Sequence, residues 1–360
     1  MISTPMKEIT MAEWLKLVVE KRASDFHFGM GVCPTIRLDG DLVRLSDTPF
    51  SEEYLLKLIR EYLPEERLKQ FEREKELDYS FGVSGLGRFR VNLFYQRSNI
   101  GCALRILPFN PMSFAQIGFN PAVAEQLASK PSGLILVTGP TGSGKTTTLA
   151  SMIDYINEHE NLHIVTVEDP IEFLFRDKKS VITQREVGSD TYSFNQALKH
   201  VLRQDPDVIL IGEMRDLETI EIALTCAETG HLVFATLHTP DAVQSINRVI
   251  DVFPAHQQQQ VRVQLSFVLQ AIISQQLMPR SGGGLAMAAE VLIATPAIRT
   301  LIRESKAHQI YSSVQMGQKE GMRTLNMSLT ELVKANKISK ETAYSRAMDV
   351  LELERLLNSK

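Results

Sequence analysis

Apolar positions recur at helical spacing over residues 11–22, where Trp14, Leu15, Val18 and Val19 share one face. Residues 23–29 alternate apolar and polar and predict a strand. Residues 35–44 predict two short strands around an Asp39-Gly40 hairpin turn. Ser51 opens a helix over 51–62 carrying Leu55, Leu56, Leu58 and Ile59, and Pro64 suits the start of a second, charge-rich helix over 65–76. Three strands follow at 77–81, 87–95 and 101–107, separated by Gly/Ser turns. Helices and strands mixed in this way predict a small α+β domain over residues 11–107.

Pro108 and Pro111 punctuate the chain and mark a linker over 108–118. Beyond it the rhythm changes. Strands at 134–138, 163–167, 207–211 and 231–237 alternate with helices at 145–158, 193–204 and 216–228. That alternation predicts an α/β domain over 119–360 with a mostly parallel, doubly wound sheet. From Pro296 onward the pattern is helical, over 297–305, 324–335 and 340–357.

Length and composition agree with this division. A chain of 360 residues exceeds one ordinary domain, and 44% hydrophobic with 23% charged residues is usual for a globular protein. A net charge of −4 offers no general basic footprint for nucleic acid. Cys33, Cys102 and Cys226 stand far apart, so neither a zinc site nor a disulfide framework is expected. The longest apolar stretch, 263–278, is interrupted by Gln264, Ser266, Gln270, Ser274, Gln275 and Gln276, so no membrane span is expected; the first residues also lack the apolar core of a signal peptide.

The chemistry concentrates after the apolar run 134–137. There the chain reads GPTGSGKTTT at 139–148, which contains G-x-x-x-x-G-K-T. Glycines let successive N–H groups turn inward around a phosphate chain, and the following helix presents its positive N-terminal end to the same anion. Gly139, Pro140, Thr141, Gly142, Ser143, Gly144, Lys145, Thr146 and Thr147 are therefore the expected cradle for ATP, with Lys145 on the β/γ-phosphates and Thr146 on Mg²⁺. The alternative, a Gly-rich strand–helix turn without a ligand, does not require the lysine. Glu168, Asp169 and Glu172 lie just past a predicted strand end, where ligands of open α/β sheets gather. They are candidates for a general base and for Mg²⁺ partners. A second buried strand ends at Gly212-Glu213, with glycine where an aspartate usually ligates Mg²⁺; Glu213 then supplies the acid, through water. The residues alone leave open whether Glu213 or Glu172 is the base. His231 and His238 bracket a strand, and seven residues of separation put them on opposite faces, which argues against a shared metal. His238, at the carboxyl end, is the better phosphate sensor. Arg88, Arg90 and Arg105 lie far from the loop in sequence; they are either surface charge or arginine forks reaching a nucleotide held elsewhere.

Taken in order, these stretches resemble the secretion ATPases of type II secretion and type IV pilus systems. The matching segments include ASDFHF at 23–28, GRFRVNLF at 87–94, TVEDPIEF at 166–173, TQREVGSDT at 183–191, LRQDPDVILIGEMRDLETI at 202–220, AETGHLVFATLHT at 227–239, RVIDVFP at 248–254 and TPAIRTLIRE at 295–304. The resemblance spans roughly residues 11–350. It implies a PAS-like N-terminal domain joined to a RecA-like P-loop ATPase domain, six subunits in a ring, and ATP between the two kinds of domain. It assigns Glu172 as the base, Glu213 to Mg²⁺ through water, His231 and His238 to a histidine box, and Arg90 and Arg105 to the phosphates. The 297–304 stretch resembles a motif associated with pilus retraction, with Thr300 where the family more often has Asn. The longer N-terminal region and tetracysteine of extension motors are not seen, which implies retraction. The resemblance further implies a cytoplasmic location at the inner membrane, docking to a pilus platform protein, and an accessory paralogue in the same system.

Overall fold

Trp14, Leu15 and Val18, the apolar face read from the sequence, are fully buried and seat helix α1 (Met11–Glu20) on a sheet. A capping box between Thr10 and Glu13 starts that helix. The computed structural model describes residues 9–38, 41–107 and 111–359. The Asp39-Gly40 turn and residues 108–110 of the expected linker lie outside them.

The chain forms two units. The first holds the described residues up to 107 together with Pro170–Leu174. After α1 come β1 (Asp25–Gly29), β2 (Val32–Leu38), β3 (Asp41–Arg44), α2 (Glu52–Arg60), α3 (Glu65–Glu74), β4 (Glu76–Val83), β5 (Gly87–Gln96) and β6 (Asn99–Leu107). The strands form one antiparallel sheet in the order β3-β2-β1-β6-β5-β4. Phe26, Phe28, Ile36, Phe89, Val91 and Leu104 point to the helices and build the core; Arg37, Arg90 and Arg105 stand on the other face.

The second unit begins at Pro111. Residues 111–118, read as linker, belong to it: Phe114 is buried in its core, and Ser151 donates to the Met112 carbonyl at 2.6 Å. Its elements are α4 (Phe114–Ile117), α5 (Pro121–Ala128), β7 (Gly133–Thr138), α6 (Lys145–His159), β8 (His163–Glu168), β9 (Val181–Glu186), α7 (Phe194–Val201), β10 (Val208–Ile211), α8 (Leu217–Glu228), β11 (Leu232–Leu237), α9 (Ala242–Asp251), α10 (Ala255–Val268), β12 (Leu269–Pro279), β13 (Leu285–Ile293), α11 (Pro296–Arg303), α12 (Ile310–Met316), α13 (Leu325–Lys334), α14 (Lys340–Arg346) and α15 (Val350–Asn358). The sheet runs β13-β12-β7-β11-β10-β8-β9, parallel throughout except for β13.

Along β7, Leu134 and Leu136 pack toward α8, α9 and α10, while Ile135 and Val137 pack toward α5 and α6. Burial on both faces is why this strand reads as a continuous apolar run. The chain leaves β7 for β8, three positions away in the sheet, after passing through α6. The β7 end is therefore a topological switch point, where the fold opens a crevice.

Three strands were not anticipated. β9 carries alternating polar residues, and β12 was masked by Ser274, Gln275 and Gln276, which are polar yet buried. β13 followed an apparent loop. The helix expected over 340–357 is two helices, α14 and α15, with an extended Ala347 between them.

Candidate active site: a phosphate cradle and the acids beside it

The loop from Gly139 to Gly144 joins the buried end of β7 to the first turn of α6. Gly139 has φ 138°, and a Cβ there would lie 2.3 Å from the Gln275 carbonyl oxygen and 2.7 Å from Ser143 Oγ. No side chain fits, so the glycine is demanded by close approach as well as by conformation. Lys145, only 9% exposed, donates from Nζ to the carbonyls of Gly139 at 2.8 Å and Pro140 at 3.1 Å. Its ammonium is thus laid along the rim of the loop. Thr146 and Thr147 are half-buried in the first turn of α6. Ser143 is buried, and its Oγ meets no hydrogen-bond partner among the described residues. A buried orphan hydroxyl inside the glycine loop suits an anion with several acceptor oxygens. Thr141 and Gly142 are exposed at the loop tip.

The neighbouring parallel strands end level with β7. Thr138 pairs with Leu237, and Ile211 with Val167. His238 follows β11, and Glu213 follows β10 by two residues. The Glu213 carboxylate, 19% exposed, lies 2.7 Å from Arg215 and 3.1 Å from His238 Nε2. The Arg215 hydrogen bond holds the Glu213 carboxyl below the usual carboxylate range, against the upward push of burial. Asp169, exposed at the end of β8, adds negative charge near Arg215. Gly212, the departure from the usual acidic strand end, has a physical reason. A Cβ there would meet the Val167 carbonyl at 3.2 Å and Glu168 Cα at 3.3 Å, both backbone of β8. Thr236 pins the Gly212 carbonyl at 2.6 Å, which fixes where Glu213 emerges.

The other expected residues separate. Glu168 is buried and accepts from Thr166 at 2.7 Å and Gln184 at 3.3 Å, so its carboxylate ties β8 to β9. His231 sits at the opposite end of β11 from His238, where its Nδ1 contacts the Cys226 carbonyl at 2.9 Å at the end of α8. Glu172 is half-buried on the segment Pro170–Leu174 of the first unit.

Within that first unit, the arginines form a row. Arg105 pairs directly with Arg90 across β5 and β6, and with Asp25 across β1; Asp25 in turn pairs with Arg37 on β2. Two like charges directly opposite are unfavourable without a counter-charge. Asp25 supplies it, with its carboxylate 2.8 Å from Arg105 Nε and 3.8 Å from Arg37 Nε. Burial pushes the Asp25 carboxyl up, but hydrogen bonds from Arg105 and Ser24 bring it below the ordinary value. Arg88 instead donates to Ser80 at 2.6 Å.

Sequence reasoning missed Gln275. It is 1% exposed on β12 beside the loop, donating from Nε2 to the Ser143 carbonyl at 2.7 Å and accepting from Thr148 at 3.0 Å. The available signal is a polar pair inside an apolar run, which in one dimension reads as an interruption.

A strand, a glycine loop, a helix with a buried lysine, and an ionised carboxylate at the next-but-one strand end define a P-loop nucleoside triphosphatase with a RecA-like sheet. The chain belongs to the family described as "Type II/IV secretion system protein", whose model matches residues 8–356. It is 48% identical to the "Type IV pilus retractation ATPase PilT" of Pseudomonas aeruginosa, over 94% of this chain and 98% of that protein. It is 38% identical to the "Type IV pilus ATPase PilU" of the same organism, over 95% of this chain and 90% of that protein. A crystal structure of the pilus retraction motor PilT with bound ADP superimposes with a TM-score of 0.90 at 51% identity, covering 97% of this chain and all of that one. The fold is therefore an N-terminal domain joined to an ATPase domain, and the site is one for nucleotide. Among the described residues, no helix is long and apolar enough to cross a membrane.

Proposed function

We propose that this chain is the ATP-hydrolysing motor that powers type IV pilus retraction and hence twitching motility. The observation that carries the reading is similarity to a pilus retraction ATPase over nearly the whole of both chains, with the phosphate cradle intact. The lower identity to the PilU protein makes the accessory motor the second reading. The acidic balance of the chain disfavours a nucleic-acid motor.

In this reading the N–H groups of 139–146 and Lys145 bind the ATP phosphates. Thr146 would hold Mg²⁺, and Glu213 would do so through water, with Asp169 as a further acid nearby; Glu168, tied between β8 and β9, would take no part. The donor set fits that ion: a hydroxyl in the first helical turn and an ionised carboxylate at the next-but-one strand end. When bound, Mg²⁺ neutralises phosphate charge. Glu172 takes a proton from the attacking water, and His238, held on Glu213, senses the γ-phosphate. Arg90 and Arg105 stabilise the charge that builds on the phosphates. The working assembly is a homohexamer on the cytoplasmic side of the inner membrane. It docks to the pilus platform protein and works beside a PilU-like paralogue.

The test is direct. Purified protein should hydrolyse ATP with Mg²⁺, and Lys145→Ala should lower kcat by about 10² or more while abolishing twitching in the source cell. An inactive wild type, or twitching untouched by Lys145→Ala, would remove the proposal.

A further inference from the structure

We infer that Gln275 is a positioning residue for the phosphate cradle, its amide aiming the Gly144 N–H at the phosphates. This rests on the reading of the loop as a nucleotide site.

The peptide between Ser143 and Gly144 is planar and trans, so its C=O and N–H point in opposite directions. Gln275 Nε2 anchors the Ser143 oxygen at 2.7 Å on the β12 side. The Gly144 N–H is thereby turned away from β12. Gly144 is the residue that caps the start of α6, with φ 86°. An N–H at a helix start belongs to the group that binds anions.

The direction of the Gln275 amide is itself fixed from both ends. A carbonyl only accepts, so the amide must turn its nitrogen to Ser143. Its Oε1 then faces Thr148, which donates at 3.0 Å. Thr148 is fully buried, one turn into α6. The loop is also seated on this residue sterically. A Cβ at Gly139 would strike the Gln275 carbonyl oxygen, and one at Gly144 would come within 3.2 Å of Gln275 Nε2. One side chain thus fixes the last peptide of the loop relative to the helix that follows. Pre-set donors cost nothing to reorganise when the anion arrives.

The experiment is titration of a fluorescent ADP against wild type, Gln275→Leu, Gln275→Glu and Thr148→Val, with thermal unfolding of each. Gln275→Leu should weaken binding about tenfold or more, the loss of one hydrogen bond to a charged group. Thr148→Val should weaken it by less, because the amide stays but is no longer oriented. Gln275→Glu separates positioning from packing. Its carboxylate cannot donate to the Ser143 oxygen, but its protonated form can. The deficit relative to wild type should shrink as pH falls from about 8 to about 5.5, helped by the upward push of burial on that carboxyl. Folded Gln275→Leu with wild-type affinity, or a Gln275→Glu deficit independent of pH, overturns the role. If Gln275→Leu does not fold, the other two variants decide. Failure of the wild type to bind ADP would instead sink the nucleotide site itself, so the two failures are distinguishable.

Discussion

Glu213 shows how single side chains set the site's chemistry. Its carboxylate is shared between Arg215 and His238, and the depressed pKa follows from the Arg215 hydrogen bond first. Its stabilising contribution is present above the unfolded carboxylate pKa and is lost as pH falls through the lower folded value. Removing Arg215 takes away the main cause. Arg215→Ala should therefore move the acid limb of the kcat–pH profile to higher pH, and an unmoved limb would show that Glu213 does not control it. Glu290 is the opposite case. Burial on β13 pushes it up to about 7, with Asp241 adding to the rise, while the Ala242 N–H donates to it at 2.8 Å and pulls the other way. The folded chain then holds a proton that the unfolded chain releases from about pH 4.5 upward. Stability from this group falls as pH rises toward 7 and levels off beyond. Gln keeps the acceptor for Ala242 without that proton. Melting curves of Glu290→Gln between about pH 5 and 8 should lose this part of the slope, and a slope equal to wild type would refute the assignment.

The elements divide into those with a local signature and those without. β7, α6 and β10 were legible because their runs are apolar throughout or end in residues with conformational demands, as at Gly139 and Gly212. β12 was not legible. Its Ser274 bonds Thr138 at 2.8 Å and its Gln275 bonds Ser143, partners more than a hundred residues away in sequence. Buried polar groups satisfied only by tertiary partners look like surface in a one-dimensional pattern. The same limit hid the division of labour around the acids: Glu168 and Glu213 read alike in sequence, yet one is tied between strands and the other faces Arg215 and His238. Restoring an acid at the β10 end tests the close approach there. Gly212→Asp should destabilise by about 1–3 kcal/mol, as overpacking against fixed backbone does, and should not raise activity. An active, fully stable Gly212→Asp would contradict the steric account of the glycine.

At the scale of the whole molecule, the proposed catalytic groups fall in both units. The cradle, Glu213 and His238 belong to the second; Arg90, Arg105 and the segment with Glu172 belong to the first. Two-domain organisation was readable from the change of rhythm near Pro108 and Pro111, whereas the membership of Pro170–Leu174 in the first unit was not. Nothing local distinguishes that segment; its affiliation is a matter of contacts distant in sequence. If the arginines serve a nucleotide bound by another copy, Lys145→Ala and Arg105→Ala chains should each be nearly inactive alone. Mixed before assembly, they should recover part of the wild-type turnover. No recovery in mixed rings of confirmed composition would place the arginines on their own chain's nucleotide, or nowhere near one.

The two carbonyl contacts of Lys145 carry a consequence for the rhythm of turnover. The ammonium has oxygen acceptors within its own loop, at Gly139 and Pro140, before any phosphate is considered. These contacts tie the first residues of the loop to the lysine that opens α6. Exchange of spent for fresh nucleotide asks the lysine to trade one set of oxygens for another. Each bond the ammonium gains to a phosphate is thus offset in part by a carbonyl bond it gives up, which tempers how tightly the lysine holds the nucleotide.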